Sequence, residues 1–167
     1  KTCLTELTWF LKGDTNIKYL LENGCNIWTD DAYKYYKQLD GYLSKEAWKT
    51  CITADKNLRH TIVGDRDSHL AWYNYDYGDL GRVYGAQWRR YGTHQFDQVQ
   101  YVIDNIKQNP TSRYNIINAW NSDELLGDHA SVALPACHVY YQFCVNNGKL
   151  DMMMVQRSCD IFLGVPF

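Results

Sequence analysis

Long apolar runs are missing from this sequence. The most apolar stretches, "DIFLGVPF" among them, stop far short of the roughly 20 residues a helix needs to cross a bilayer. An excess of one charge is missing as well: 17 Lys and Arg stand against 19 Asp and Glu, for a formal charge of -2. That balance leaves no basic footprint for nucleic acid or an anionic membrane surface, so neither is expected as a partner. No secretory leader is visible, and the cysteines at 3, 25, 51, 137, 144 and 159 form no CxxC pair and no zinc spacing. Reduced thiols, no bound metal and a soluble, cytoplasmic protein are expected. The chain opens on Lys1 rather than Met and ends on "VPF", which reads as a sequence cut at both ends.

Aromatic residues are plentiful, with 14 Tyr and 6 Trp in 167 residues. The length suits one domain with a real core, and rigid rings of this kind fill cores and line clefts alike. "KTCLTELTWFLKGDTNIKYLLENG" predicts two helices. Leu4, Leu7 and Leu11 repeat at helical spacing up to Gly13, and Asp14 or Thr15 can cap a second helix carrying Ile17, Leu20 and Leu21 up to Gly24. Residues 30 to 76 change character, polar, aromatic and irregular, and read as an insertion, either a lid or a decoration. "QFDQVQYVIDNIKQNP" places Phe96, Val99, Ile103 and Ile106 on one helix face that ends at Pro110. "YNIINAW" predicts a strand, and "VYYQFCV", "NNGK" and "LDMMMVQ" predict a hairpin turning at Asn147 and Gly148. Met152 to Met154 are expected as core filler. Helices on a sheet give an α+β fold class.

"ALPACH" sets Cys137 beside His138 just before a strand. Neighbours on a strand point to opposite faces, so spacing alone does not pair them, and a buried thiol accounts for Cys137 as well as a nucleophile does. "QRSCD" adds a fork-shaped cation, a hydroxyl and a carboxylate near a strand end, chemistry suited to phosphate.

"ELTWFLKGDTNIKYL", "DLGRVYGAQWR", "NPTSR", "AWNSDEL", "LPACH", "QF", "GKL" and "QRSCDIFLGVPF" occur in an order that resembles the thymidylate synthase family. The blocks cover most of residues 1 to 29 and 77 to 167. The resemblance implies a single core of mixed β-sheet flanked by helices, and a homodimer joined through a sheet face. It also implies reductive methylation of dUMP, with methylenetetrahydrofolate as co-substrate and no metal. By the same resemblance Cys137 is the nucleophile that adds to pyrimidine carbon 6, Glu6 orders a proton-moving water network, and Tyr84 and His138 hold the water that takes the carbon 5 proton. Arg157 and Ser158 are implied as phosphate ligands, Gln156 and Asp160 as nucleotide contacts, and Arg113 as a phosphate ligand given across the dimer. Ile27, Trp28, Leu134, Asp160, Gly164 and Phe167 are implied around the folate.

Departures gather at the ligands. Tyr114 stands where the family has a second arginine, Asp31 where it has a tryptophan, Arg82 where it has a proline, and Ala136 where it has the proline before the nucleophile. Arg82 reads as a compensating cation or as one end of a salt bridge. A pyrimidine nucleotide hydroxymethylase, or a non-catalytic nucleotide-binding homologue without the folate half, are the alternative readings. The chain stops before the family residue that separates uracil from cytosine.

Overall fold

A computed structural model describes residues 1–39, 41–54, 76–126 and 132–160. Helix α1 (Thr2–Leu11) ends where Gly13 takes a φ of 69°, and a short α2 (Lys18–Glu22) ends at Gly24 with a φ of 71°. Neither Asp14 nor Thr15 caps α2: its N-cap is Ile17, which makes no side-chain cap, and Asn16 just ahead of it accepts from the backbone N–H of Lys18 through Oδ1 at 2.8 Å. Helices α3 (Thr29–Gln38) and α4 (Lys45–Thr53) follow, the latter capped by Ser44, whose side chain accepts from the Ala47 N–H. Helix α5 (Tyr84–Arg89) packs closely on α1. Gly85 permits that approach, because a Cβ there would sit 2.9 Å from the Asp14 carbonyl oxygen and 3.0 Å from that of Phe10. Helix α6 (Gln98–Gln108), capped by Asp97, lies along the sheet, and α7 (Ser122–Leu125) is a single turn.

The sheet orders β1 (Ile116–Asn118), β2 (His138–Asn146) and β3 (Lys149–Gln156) side by side. A mixed sheet is expected from the resemblance, but every described pair is antiparallel. Asn147 and Gly148 have φ of 49° and 72°, the left-handed pair a two-residue hairpin turn requires. Ile117, Tyr141 and Phe143 face the helices, while by the period of two Ile116, Tyr140 and Gln142 face away.

The core differs from the stripes seen in sequence. Trp9 and Phe10 are the buried residues of α1, whereas Leu4, Leu7 and Leu11 are 70%, 44% and 43% exposed. In α6 Val99 and Val102 are buried and Ile106 packs against the core, whereas Ile103, and Phe96 ahead of the helix, are exposed. Leu7, Leu11, Ile103, Ile106, Phe143, Leu150 and Met152 instead border an open apolar trough of about 370 Å³ between helices and sheet. Met152, Met153 and Met154, expected in the core, are exposed on β3. Within the stretch read as an insertion, Tyr36, Trp48, Cys51 and Ile52 belong to the same core as Trp9 and Leu80. Its residues 55–75 lie outside the described residues.

Candidate active site

Three backbone links and one side-chain hydroxyl hold the segment that carries Cys137 at the mouth of the hairpin. The Ala133 N–H donates to the Leu80 carbonyl at 2.8 Å, and Gly81 and Val132 form an isolated bridge. The Arg157 N–H donates to the Cys137 carbonyl at 2.9 Å, and the Cys137 N–H donates to the Tyr84 hydroxyl oxygen at 2.5 Å. The Arg157 side chain turns back on the same segment. Its Nε donates to the Ala136 carbonyl at 2.8 Å and its Nη2 to the Pro135 carbonyl at 3.0 Å, with Nη2 also 3.7 Å from Cys137 Sγ. One residue thus frames the turn before the thiol and sets a cation beside it. The face of Trp120 covers the guanidinium at 5.6 Å. Cys137 itself is only half-buried, which leaves its sulfur within reach of a ligand.

A bulge aims the neighbouring histidine. His138 pairs with Gln156 and Tyr140 with Val155, so β2 advances two residues while β3 advances one, and Val139 is the extra residue. The imidazole of His138 packs on the Tyr84 ring at 4.9 Å and its Nδ1 lies 3.1 Å from the Tyr141 hydroxyl. Cys137 and His138, not paired by strand spacing, therefore meet at the same tyrosine. Burial pushes the Tyr84 phenol up to about 12, against the pull of the Cys137 backbone N–H. Burial lowers the His138 imidazole. Near neutral pH the pair comprises an un-ionised phenol and an uncharged imidazole.

An aromatic cluster joins this point to α1. Phe10 lies 4.8 Å and Trp28 6.0 Å from the Tyr84 ring. Trp28 Nε1 donates to Glu6 Oε1 at 2.7 Å. Burial raises the Glu6 carboxyl from its ordinary value, and the Trp28 hydrogen bond partly offsets it. A thiol with an adjacent guanidinium, a neutral phenol, a neutral imidazole and, through the aromatic cluster, a carboxyl whose burial favours its protonated form suit covalent addition with proton transfer.

A family model described as thymidylate synthase matches residues 1–167, the whole chain. The chain belongs to the thymidylate synthase family. It is 42% identical over 168 residues to the thymidylate synthase of Mycoplasma mobile, covering 100% of this chain and 51% of that protein. It is similarly 41% identical over 187 residues to the thymidylate synthase of Staphylococcus haemolyticus, covering 100% of this chain and 55% of that protein. The chain spans about half the length of the curated relatives it matches.

Against the thymidylate synthase resemblance, Cys137, Tyr84, His138 and Arg157 converge, and Glu6 and Trp28 reach them through the aromatic cluster. Gln156, Ser158 and Asp160 are exposed along the segment around Arg157, with Gln156 Nε2 donating to the Ser158 carbonyl at 2.9 Å. Leu134 packs half-buried against the core, and Ile27 is 51% exposed beside buried Trp28. Arg113 and Tyr114 are exposed between α6 and β1. Gly164 and Phe167 lie outside the described residues. Arg82 forms the salt bridge: its Nε is 2.6 Å from Glu124 Oε2, which also accepts from Gln87 Nε2 at 2.7 Å. Sequence reasoning passed over Trp120 and Tyr141. Trp120 lay in a matched block without a role, and Tyr141 shows its contact to His138 only once the bulge is known.

Proposed function

We propose that the protein to which this chain belongs is a thymidylate synthase, converting dUMP and methylenetetrahydrofolate to dTMP and dihydrofolate. Cys137 Sγ adds to carbon 6 of the pyrimidine and places negative charge on carbon 5, which bonds to the one-carbon unit of the folate. Loss of the carbon 5 proton and of the folate nitrogen leaves an exocyclic methylene. Hydride from the folate then completes the methyl group as the thiolate leaves carbon 6. A thiolate serves because it is both a strong nucleophile and a good leaving group. The observation that carries this reading is the Arg157 guanidinium 3.7 Å from Cys137 Sγ while it also braces the turn that holds the thiol. Nε and Nη2 are engaged there, which leaves Nη1 for a nucleotide phosphate oxygen with Ser158 beside it.

Tyr84, neutral at working pH, acts as a hydrogen-bonding anchor for water rather than as a base. Glu6 passes protons toward the folate nitrogen. Gln156 and Asp160 orient the base, Asp160 also meets the folate, and Ile27, Trp28, Leu134, Gly164 and Phe167 border it. The homodimer forms by stacking the sheet face that carries Ile116, Tyr140, Gln142, Met153 and Val155, and Arg113 reaches the partner's phosphate. The setting is the cytoplasm, with no nucleic acid or membrane needed.

Trapping tests the reading. A fluorinated dUMP analogue with methylenetetrahydrofolate is expected to give a covalent ternary adduct, seen by mass spectrometry on the peptide containing Cys137 and absent from Cys137→Ala. Absence of the adduct from the folded full-length protein would overturn it. Hydroxymethyl in place of methyl product would point to the sister activity.

A further inference from the structure

Tyr141 is 7% exposed, meets Trp88 edge-on at 5.3 Å and borders the apolar trough, yet its hydroxyl lies 3.1 Å from His138 Nδ1. On a regular strand this contact does not form, because residues three apart point to opposite faces. The extra residue at Val139 resets the alternation and brings both rings to the helix side of the sheet. The disruption of the ladder therefore joins the interior of the fold to the histidine next to Cys137.

We infer that Tyr141 is a positioning residue: its hydroxyl donates to His138 Nδ1, steadies the imidazole against Tyr84 and fixes the tautomer that carries its proton on Nε2. The direction follows from counting donors. Among the described residues the Tyr141 hydroxyl has no other hydrogen-bond partner. A proton on Nδ1 would leave the buried phenolic proton unpaired, and an unsatisfied buried donor is disfavoured. Donation from the phenol satisfies both groups and presents an N–H toward the site, suited to a carbonyl oxygen or a water bound to one. Burial raises the Tyr141 phenol and lowers the His138 imidazole, so both partners are uncharged near neutral pH. The catalytic consequence rests on the thymidylate synthase reading; the hydrogen bond does not.

Ring ¹⁵N shifts of histidine-labelled full-length protein test this, with His138 assigned by the signal lost in His138→Gln. The wild type is expected to show a protonated Nε2 and a hydrogen-bonded, unprotonated Nδ1. In Tyr141→Phe, which keeps the ring, Nδ1 should move toward the shift of a free acceptor and the tautomers should mix. A proton on Nδ1 in the wild type, or an unchanged spectrum in the variant, overturns the inference. For dTMP formation, kcat should fall about tenfold in Tyr141→Phe with KM for dUMP little changed. An unchanged kcat overturns the positioning role. A wild type that forms no dTMP yet shows the expected tautomer, lost in the variant, sinks the synthase reading and upholds the hydrogen bond.

Discussion

Arg157 combines two tasks that a different cation divides. Its planar fork donates to the carbonyls of Pro135 and Ala136 while Nη2 reaches the thiol, a geometry lysine cannot copy with one point charge. Arg157→Lys is therefore expected to lower kcat/KM by on the order of 10²-fold, about 2.7 kcal/mol of transition-state stabilisation, in steady-state assays. Glu6 carries a pH signature. Burial raises its carboxyl above 4.5, so the folded protein binds this proton more tightly than the unfolded chain does. Stability contributed by the protonated form is present at low pH and is lost as pH rises through the raised folded value. Urea midpoints across that window should show this loss in the wild type and lack it in Glu6→Gln, whose amide oxygen still accepts from Trp28.

Among elements, the hairpin was legible because its cause is local: Asn147 and Gly148 accept left-handed φ wherever they stand. The ends of α1 and α2 were legible at Gly13 and Gly24 for the same reason. The face of α1 was not, and that of α6 was legible in part, since Val99, Ile103 and Ile106 do line one trough. Periodicity shows which residues share a stripe, but the neighbours decide which stripe is covered, and here Trp9, Phe10, Val99 and Val102 are taken in while Leu4 and Ile103 are left out. The bulge at Val139 was equally hidden, since nothing in "CHVYY" marks an extra residue. Helices α3 and α4 are a further case. Trp48 is fully buried against Tyr33 and Tyr36, its ring 5.3 Å from the first and 5.8 Å from the second. Trp48→Ala should cost about 3–5 kcal/mol in chemical denaturation, where a peripheral decoration would cost little.

For the molecule as a whole, charge and composition pointed away from nucleic acid, and among the described residues no helix is long and apolar enough to cross a membrane. The sheet face turned from the helices carries Met153 at 53% and Val155 at 45% exposure. Apolar surface of this kind on a paired sheet suits burial against a second copy. On the proposed dimer through this face, Met153→Lys is expected to weaken self-association at least tenfold by sedimentation equilibrium, because the added charge would have to be desolvated there. Unchanged self-association would place the interface elsewhere.

The sequence by itself determined the chemistry available: a thiol before a strand, an arginine at the strand's far partner, a tyrosine after "DLGRV" and a carboxylate in the first helix, in an order that matched one family. Those features are carried by residue identity and by turns whose conformation depends on a few neighbouring atoms. Only the tertiary structure decided that Arg157 folds back onto the turn, that Tyr84 meets both Cys137 and His138, and that Tyr141 holds the imidazole from behind. Each of those contacts joins residues through a strand register or a packed helix, and a register is fixed by the whole sheet and core rather than by any short stretch of chain.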